Sequence, residues 1–192
     1  LPWLPELLAT YPGLTVDIQV GAQYVDTFDQ GLDIAIHSGV LPDSSRVAKK
    51  IGESAWITCA SPAYLARRGT PYRPQDLLAH DCFNSGFASA WNNWRFSTPE
   101  GVVTIPIAPT ASFAQGDLLR EMALGGAGIV RLAQSHIGED IRAGRLVPLL
   151  TDFDLPEKEP LYLIYSNRKH LSPRIRVFRD FLENRLRESP WD

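Results

Sequence analysis

Leu4-Pro5-Glu6-Leu7-Leu8-Ala9-Thr10-Tyr11-Pro12-Gly13-Leu14-Thr15-Val16-Asp17-Ile18-Gln19-Val20 carries two hydrophobic periods in succession. Leu4, Leu7, Leu8 and Tyr11 recur at i, i+3, i+4 and i+7, the spacing of an amphipathic helix, and Pro12-Gly13 stops it. From Thr15 to Val20 the period falls to two, which predicts a strand with one buried face. A short helix carrying Val25 and Phe28 follows, then a second strand at Leu32-Asp33-Ile34-Ala35-Ile36. Helix, strand, helix, strand is the rhythm of an α/β layer with a largely parallel sheet.

Outward from this start, Trp56-Ile57-Thr58-Cys59-Ala60 reads as a strand, and Ser61-Pro62 opens a helix with Ser as cap and Pro in the first turn, closed by Gly69. Pro74 to Leu78 reads as one more helical turn. Trp94 to Ser97, a turn at Pro99-Glu100-Gly101, and Val102 to Ile107 predict an antiparallel hairpin. Leu118, Leu119, Met122 and Ala123 mark a helix, Ile129 to Leu132 a strand, and Ile137 with Ile141 another helix ended by Gly144. Leu146 to Leu150 is extended, and Asp152 to Pro160 is a crossing segment. Leu161-Tyr162-Leu163-Ile164-Tyr165 has the continuous apolar character of a strand buried on both faces. Ser172-Pro173 repeats the capped start, and Ile175, Phe178, Phe181, Leu182 and Leu186 stripe the last helix.

The 192 residues are 44% hydrophobic and 21% charged, the balance of a chain that buries a core. No apolar run approaches the roughly 20 residues of a membrane span. With 19 Lys and Arg against 22 Asp and Glu, a broad phosphate-binding surface is not expected on these residues. Cys59 and Cys82 lie among apolar neighbours without C-x-x-C spacing and read as core thiols. His37, His80, His136 and His170 are scattered, so neither a metal nor any cofactor is expected. Gly125 to Gly128 follows a helix and precedes a strand, the reverse of a phosphate loop, so these glycines end a helix tightly. No nucleophile–base constellation marks an enzyme. What remains are polar residues at strand ends and before a helix: His37-Ser38, Asn84-Ser85, and Ser112 with Gln115. Ligands of open α/β sheets collect at such places, although each residue alone could be a cap or a turn.

Gly31-Leu32-Asp33-Ile34-Ala35-Ile36 with Gly39-Val40-Leu41-Pro42-Asp43-Ser44-Ser45 resembles the effector-binding domain of LysR-type bacterial transcriptional regulators. So do Cys59-Ala60-Ser61-Pro62-Ala63-Tyr64-Leu65-Ala66-Arg67-Arg68-Gly69-Thr70-Pro71, Gly126-Ala127-Gly128-Ile129, Gly144-Arg145-Leu146-Val147 and His170-Leu171-Ser172-Pro173-Arg174, in the same order. The resemblance implies an α/β fold of the type 2 periplasmic-binding-protein kind: two Rossmann-like subdomains joined by two crossover strands, with a small ligand in the cleft. Subdomain I then takes residues 1–60 and 161–192, and subdomain II takes residues 61–160.

The resemblance further implies ligand-binding roles for His37, Ser38, Asn84, Ser85, Gly86, Ser112, Phe113 and Gln115, with Gly128 and Ile129 close by. Close relatives often carry Arg where this chain has His37, so a positive charge there depends on pH. The expected effector is a small molecule of the organic-acid class. The expected assembly is a homodimer, or a tetramer in the full-length protein, with Leu4, Leu8, Ile137 and Ile141 at the dimer interface. The chain is expected to begin after the family's first strand. DNA binding is expected only through an N-terminal winged helix-turn-helix that this chain lacks, in a cytoplasmic protein without membrane contact. A solute receptor of the same fold is the alternative function.

Overall fold

In the computed structural model, the described residues are 3–19, 31–39, 41, 46–86, 92–156, 158–165 and 172–188. The helix expected around Val25 and Phe28, and Val40 with 42–45, lie outside them. The chain divides into two compact units, one from Leu1–Glu53 with Glu159–Asp192, the other from Ser54–Lys158.

In the first unit, α1 (Leu4–Thr10) has Pro5 in its opening turn and buries Leu7. The sheet has the order β1 (Ile34–Ser38), β10 (Glu159–Tyr165), β2 (Val47–Ser54), so the last strand of the chain lies in the middle. This explains the uninterrupted apolar run of Leu161 to Tyr165, since a central strand is covered on both faces. β10 runs antiparallel to β1, with Ile36 opposite Leu163. The expected largely parallel sheet is therefore corrected here, because hydrophobic alternation carries no information on strand direction. Helix α5 (Pro173–Glu188) lays Phe178, Leu182 and Leu186 on Leu163 and Tyr165. Ion pairs from Lys49 to Glu183 (2.6 Å), from Arg174 to Asp33 (3.2 Å) and from Arg185 to Glu6 fasten it at its exposed side. Residues 15–19 alternate in burial as far as Asp17 but form no strand, finding no partner chain to pair with among the described residues.

The second unit is built on a five-stranded mixed sheet, ordered β7 (Ala111–Phe113), β4 (Cys82–Ser85), β8 (Ile129–Ala133), β3 (Trp56–Ala60), β9 (Val147–Leu149). β4 is parallel to both β7 and β8, whereas β3 is antiparallel to β8 and β9. Among the described residues β3 pairs inside this sheet, and the compact unit runs from Ser54 to Lys158. On one sheet face Ala60, Cys82, Ile129 and Leu149 pack with Trp94, Phe96 and Ile105 of the predicted hairpin, β5 (Trp94–Thr98) and β6 (Gly101–Ile105). On the other, Cys59, Phe83, Val130 and Leu132 pack with Leu119 and Ala123 of α3 (Gly116–Leu124) and Ile137 of α4 (Gln134–Arg142). Helix α2 (Pro62–Arg68) starts as its sequence predicts, with the Ser61 hydroxyl accepting from the Tyr64 amide.

Candidate functional site

The polar strand ends gather in the second unit. β4 and β7 run side by side and end together, Asn84 opposite Ser112 and Ser85 opposite Phe113. The Gly86 amide then donates to the Phe113 carbonyl at 2.8 Å. A Cβ on Gly86 would stand 3.4 Å from the Phe113 carbonyl carbon, an ordinary van der Waals contact. The backbone next passes through Gln115, which precedes α3 and offers no side-chain cap to it. Asn84, Ser85, Gly86, Ser112, Phe113 and Gln115 are thus brought to one end of the parallel strands, where open α/β sheets hold ligands.

Three further groups complete this end: Asn92, which sequence reasoning did not single out, and the pair His136 and Asp117. Asn92 brackets Ser85, its amide donating to the Ser85 carbonyl and its oxygen accepting from the Ser85 amide, each at 3.0 Å. The side chain thereby acts as a short piece of neighbouring strand. His136 in the first turn of α4 meets Asp117 in the first turn of α3, Nδ1 to Oδ1 at 3.3 Å. Gly116 makes room for it, since a Cβ there would lie 3.2 Å from the imidazole.

Asn84 has a feature its neighbours lack. It is 6% exposed, and its Oδ1 is buried with no hydrogen-bond partner. Buried polar atoms are nearly always satisfied, so an open acceptor here marks a place where a partner is missing. Nearby on the sheet, Arg131 stands over the Trp56 ring at 5.8 Å. Burial pushes the Asp154 carboxyl up to about 6, against the pull of Arg131.

Gly128 and Ile129 belong to the opposite end. Ile129 pairs with Cys82 at the start of β4 and is fully buried in the core. A Cβ on Gly128 would fall 2.3 Å from the Asp81 carbonyl oxygen, so this glycine serves close packing of strands, and the two residues are separated from the polar cluster. In the first unit His37 and Ser38 end β1, both half-buried, opposite Tyr162 and Leu161. The chain turns away immediately at Gly39, with φ +91° and its amide on the Pro160 carbonyl. Of the residues expected at a dimer interface, Leu8 is 38% exposed, while Leu4 and Ile141 are half-buried. Ile137 is completely buried in the core of the second unit, which leaves its side chain nothing to offer a partner. Both thiols are buried and pushed up to about 12, so neither is a nucleophile at neutral pH. Among the described residues, no three His, Cys, Asp or Glu side chains converge as a metal site, and no helix is long and apolar enough to cross a membrane.

Residues 1–187 match the family described as the LysR substrate binding domain. The chain is 32% identical over 176 residues to the HTH-type transcriptional regulator CrgA of Neisseria meningitidis serogroup B, covering 92% of this chain and 58% of that protein. It is 29% identical over 174 residues to the HTH-type transcriptional activator AaeR of Escherichia coli, covering 90% of this chain and 55% of that protein. The chain therefore spans little more than half the length of these relatives. The solved regulatory domain of N. meningitidis CrgA superposes with a TM-score of 0.90 at 31% identity, covering 96% of this chain and 90% of that one. The full-length Vibrio cholerae virulence activator AphB shares the fold at a TM-score of 0.81 and 24% identity, covering 96% of this chain and 62% of that one.

Proposed function

Since this chain belongs to the LysR substrate binding domain family and has its type 2 periplasmic-binding-protein-like α/β fold, we propose that it is the effector-sensing part of a transcriptional regulator. The observation that carries the reading is the buried, unpartnered Asn84 Oδ1 at the shared end of β4 and β7, in a chain matched to this family over residues 1–187. Ligand-binding roles toward a small organic acid follow for Asn84, Ser85, Gly86, Ser112, Phe113 and Gln115 in the second unit, and separately for His37 and Ser38 in the first. Binding stabilises one state of the domain over another, and a tenfold difference in affinity between states corresponds to about 1.4 kcal/mol of bias. In the full-length protein, a cytoplasmic homodimer or tetramer, that bias alters DNA binding through a segment outside this chain. The chain matches only 58% and 55% of the length of the regulators CrgA and AaeR, which supports this division of labour.

Isothermal titration with a panel of small organic acids tests the proposal, using the wild-type chain beside His37→Ala and Ser38→Ala. Micromolar binding that weakens at least tenfold in the variants is the expected result. Unchanged affinity in both variants removes these two residues from the site, and an absence of binding across the panel overturns the reading.

A further inference from the structure

The open acceptor on Asn84 has a counterpart on the same sheet face. Cys82, Ile129, Ala60 and Leu149 pack into one core cluster, while Phe83, Val130 and Cys59 pack into the other, so alternate residues of β4, β8 and β3 share a face. Two positions along from Cys82, Ile129 and Ala60 stand Asn84, Arg131 and Thr58, all turned toward the face that carries the hairpin. Their register agrees: Asn84 is opposite Ser112, Thr58 is opposite both Arg131 and Leu149, and Phe83 opposite Val130 brings Asn84 alongside Arg131. A polar row, Ser112, Asn84, Arg131, Thr58, therefore crosses four strands of an otherwise apolar face. Thr58 is 0% exposed, and its Oγ1, like Asn84 Oδ1, has no hydrogen-bond partner. Asn84 and Thr58 are two strands apart, about 10 Å at the usual spacing.

Buried polar atoms are nearly always satisfied, and here three in one row have no hydrogen-bond partner: Asn84 Oδ1, Thr58 Oγ1 and, between them, Arg131 Nε. The cation between them is already engaged, for Arg131 stacks over Trp56 and acts on the carboxyl of Asp154. Of the two neutral groups, the Asn84 amide oxygen only accepts and the Thr58 hydroxyl donates or accepts. A ligand carboxylate would set lone pairs against Asn84 Oδ1, whereas a ligand hydroxyl or amino group would satisfy it.

We infer that the ligand site of the second unit extends along this row to Thr58, and that Asn84 and Thr58 read a hydroxyl or amino donor on the ligand. The inference rests on the effector-binding reading above and assigns the ligand to the hydroxy- or amino-acid class within it. Thr58 and Asn84 are then the specificity-determining residues.

The test uses the 192-residue chain and acids that differ by one hydroxyl: malate against succinate, and lactate against propionate. Calorimetry on the wild type should show the hydroxylated member bound at least tenfold more tightly. In Thr58→Val, and separately in Asn84→Leu, that preference should fall below threefold, with circular dichroism confirming that each variant folds. Without ligand, Thr58→Val should melt at the wild-type temperature or above it, because valine keeps the shape and removes an unpaired hydroxyl. A fall of about 4 °C or more would mean that the hydroxyl is satisfied internally, and overturns the inference. Equal binding within each pair, or a preference untouched by both variants, overturns it while leaving the effector reading intact. If none of the four acids binds, while a wider panel of organic acids does, the assignment of ligand class is overturned; if nothing in either panel binds, the effector reading itself has failed.

Discussion

Asp154 shows how one half-buried carboxyl writes a pH dependence into the chain. Its folded value, pushed up by burial to about 6, lies above the ordinary value of 3.8. Its contribution to stability is therefore complete below about pH 3.8 and is lost as pH rises through 6, leaving a penalty at neutrality. Asp154→Asn should raise the melting temperature at pH 7 by the equivalent of about 1 kcal/mol after solvent screening, and the gain should vanish toward pH 4. Thermal melts across that range decide it, and a gain that persists at pH 4 would rule out titration as its origin. His80 works in the opposite sense. Burial holds it below its usual value, and its Nδ1 lies 3.0 Å from the Tyr64 hydroxyl, which itself accepts from the Asp81 amide at 2.9 Å. Comparing Asp154→Asn with the wild type cancels this second contribution. Gly128 makes a different demand. A methyl group there would meet the Asp81 backbone oxygen at 2.3 Å and the Phe83 ring at 2.6 Å, so Gly128→Ala has to pry β4 from β8. A loss of about 3 kcal/mol or more is expected in chemical denaturation, with no dependence on ligand. Loss of effector affinity at unchanged stability would instead return Gly128 to the binding site.

Among elements, α3 and α4 are joined through a buried carboxylate. Asp140, 1% exposed, accepts from Arg120 Nε at 2.6 Å, from another Arg120 nitrogen at 3.0 Å, and from Arg145 Nε at 2.7 Å. Burial pushes its carboxyl up, but the hydrogen bonds from the two guanidinium groups prevail and hold it below the usual range. Asp140→Ala should cost about 3 kcal/mol, lowering the melting temperature by about 10 °C, since the partly exposed arginines can recover some hydration. A melt within 2 °C of wild type, roughly half a kcal/mol, would show the tie to be incidental. Elements of this kind were legible in the sequence where a local rule suffices. Ser61 caps α2 as its position before Pro62 predicts, and Gly69 ends that helix at φ +83°. The parallel case of Ser172 differs: its carbonyl accepts from Ile175 and Arg176, while its hydroxyl is buried without a partner. β2 went unread because Val-Ala-Lys-Lys-Ile-Gly-Glu-Ser alternates poorly, the lysines marking an edge strand among the described residues. Strand direction was legible only where a tight turn joins two strands, as in the antiparallel pair β5 and β6. Within the site, Asn84 through Gln115 could be found as polar residues at apolar strand ends. Thr58 could not, because its strand looks uniformly buried and its significance comes from register with Arg131 and Leu149.

At the scale of the molecule, the two units differ in how their chain is supplied. Both hydrophobic clusters of the second unit lie within residues 57–153, so Ser54–Lys158 holds a complete core. Expressed alone, that segment should fold cooperatively, giving a single denaturation transition and a native-like circular dichroism spectrum. A spectrum of unfolded chain would show that it depends on the flanking residues. The first unit is assembled from two separated stretches, and the middle strand of its sheet is β10. During synthesis β1 and β2 leave the ribosome with the place between them vacant until Glu159–Tyr165 has followed. A nascent chain halted after Lys158 would thus carry a finished second unit beside two strands with open edges, the species of this protein most exposed to misassociation.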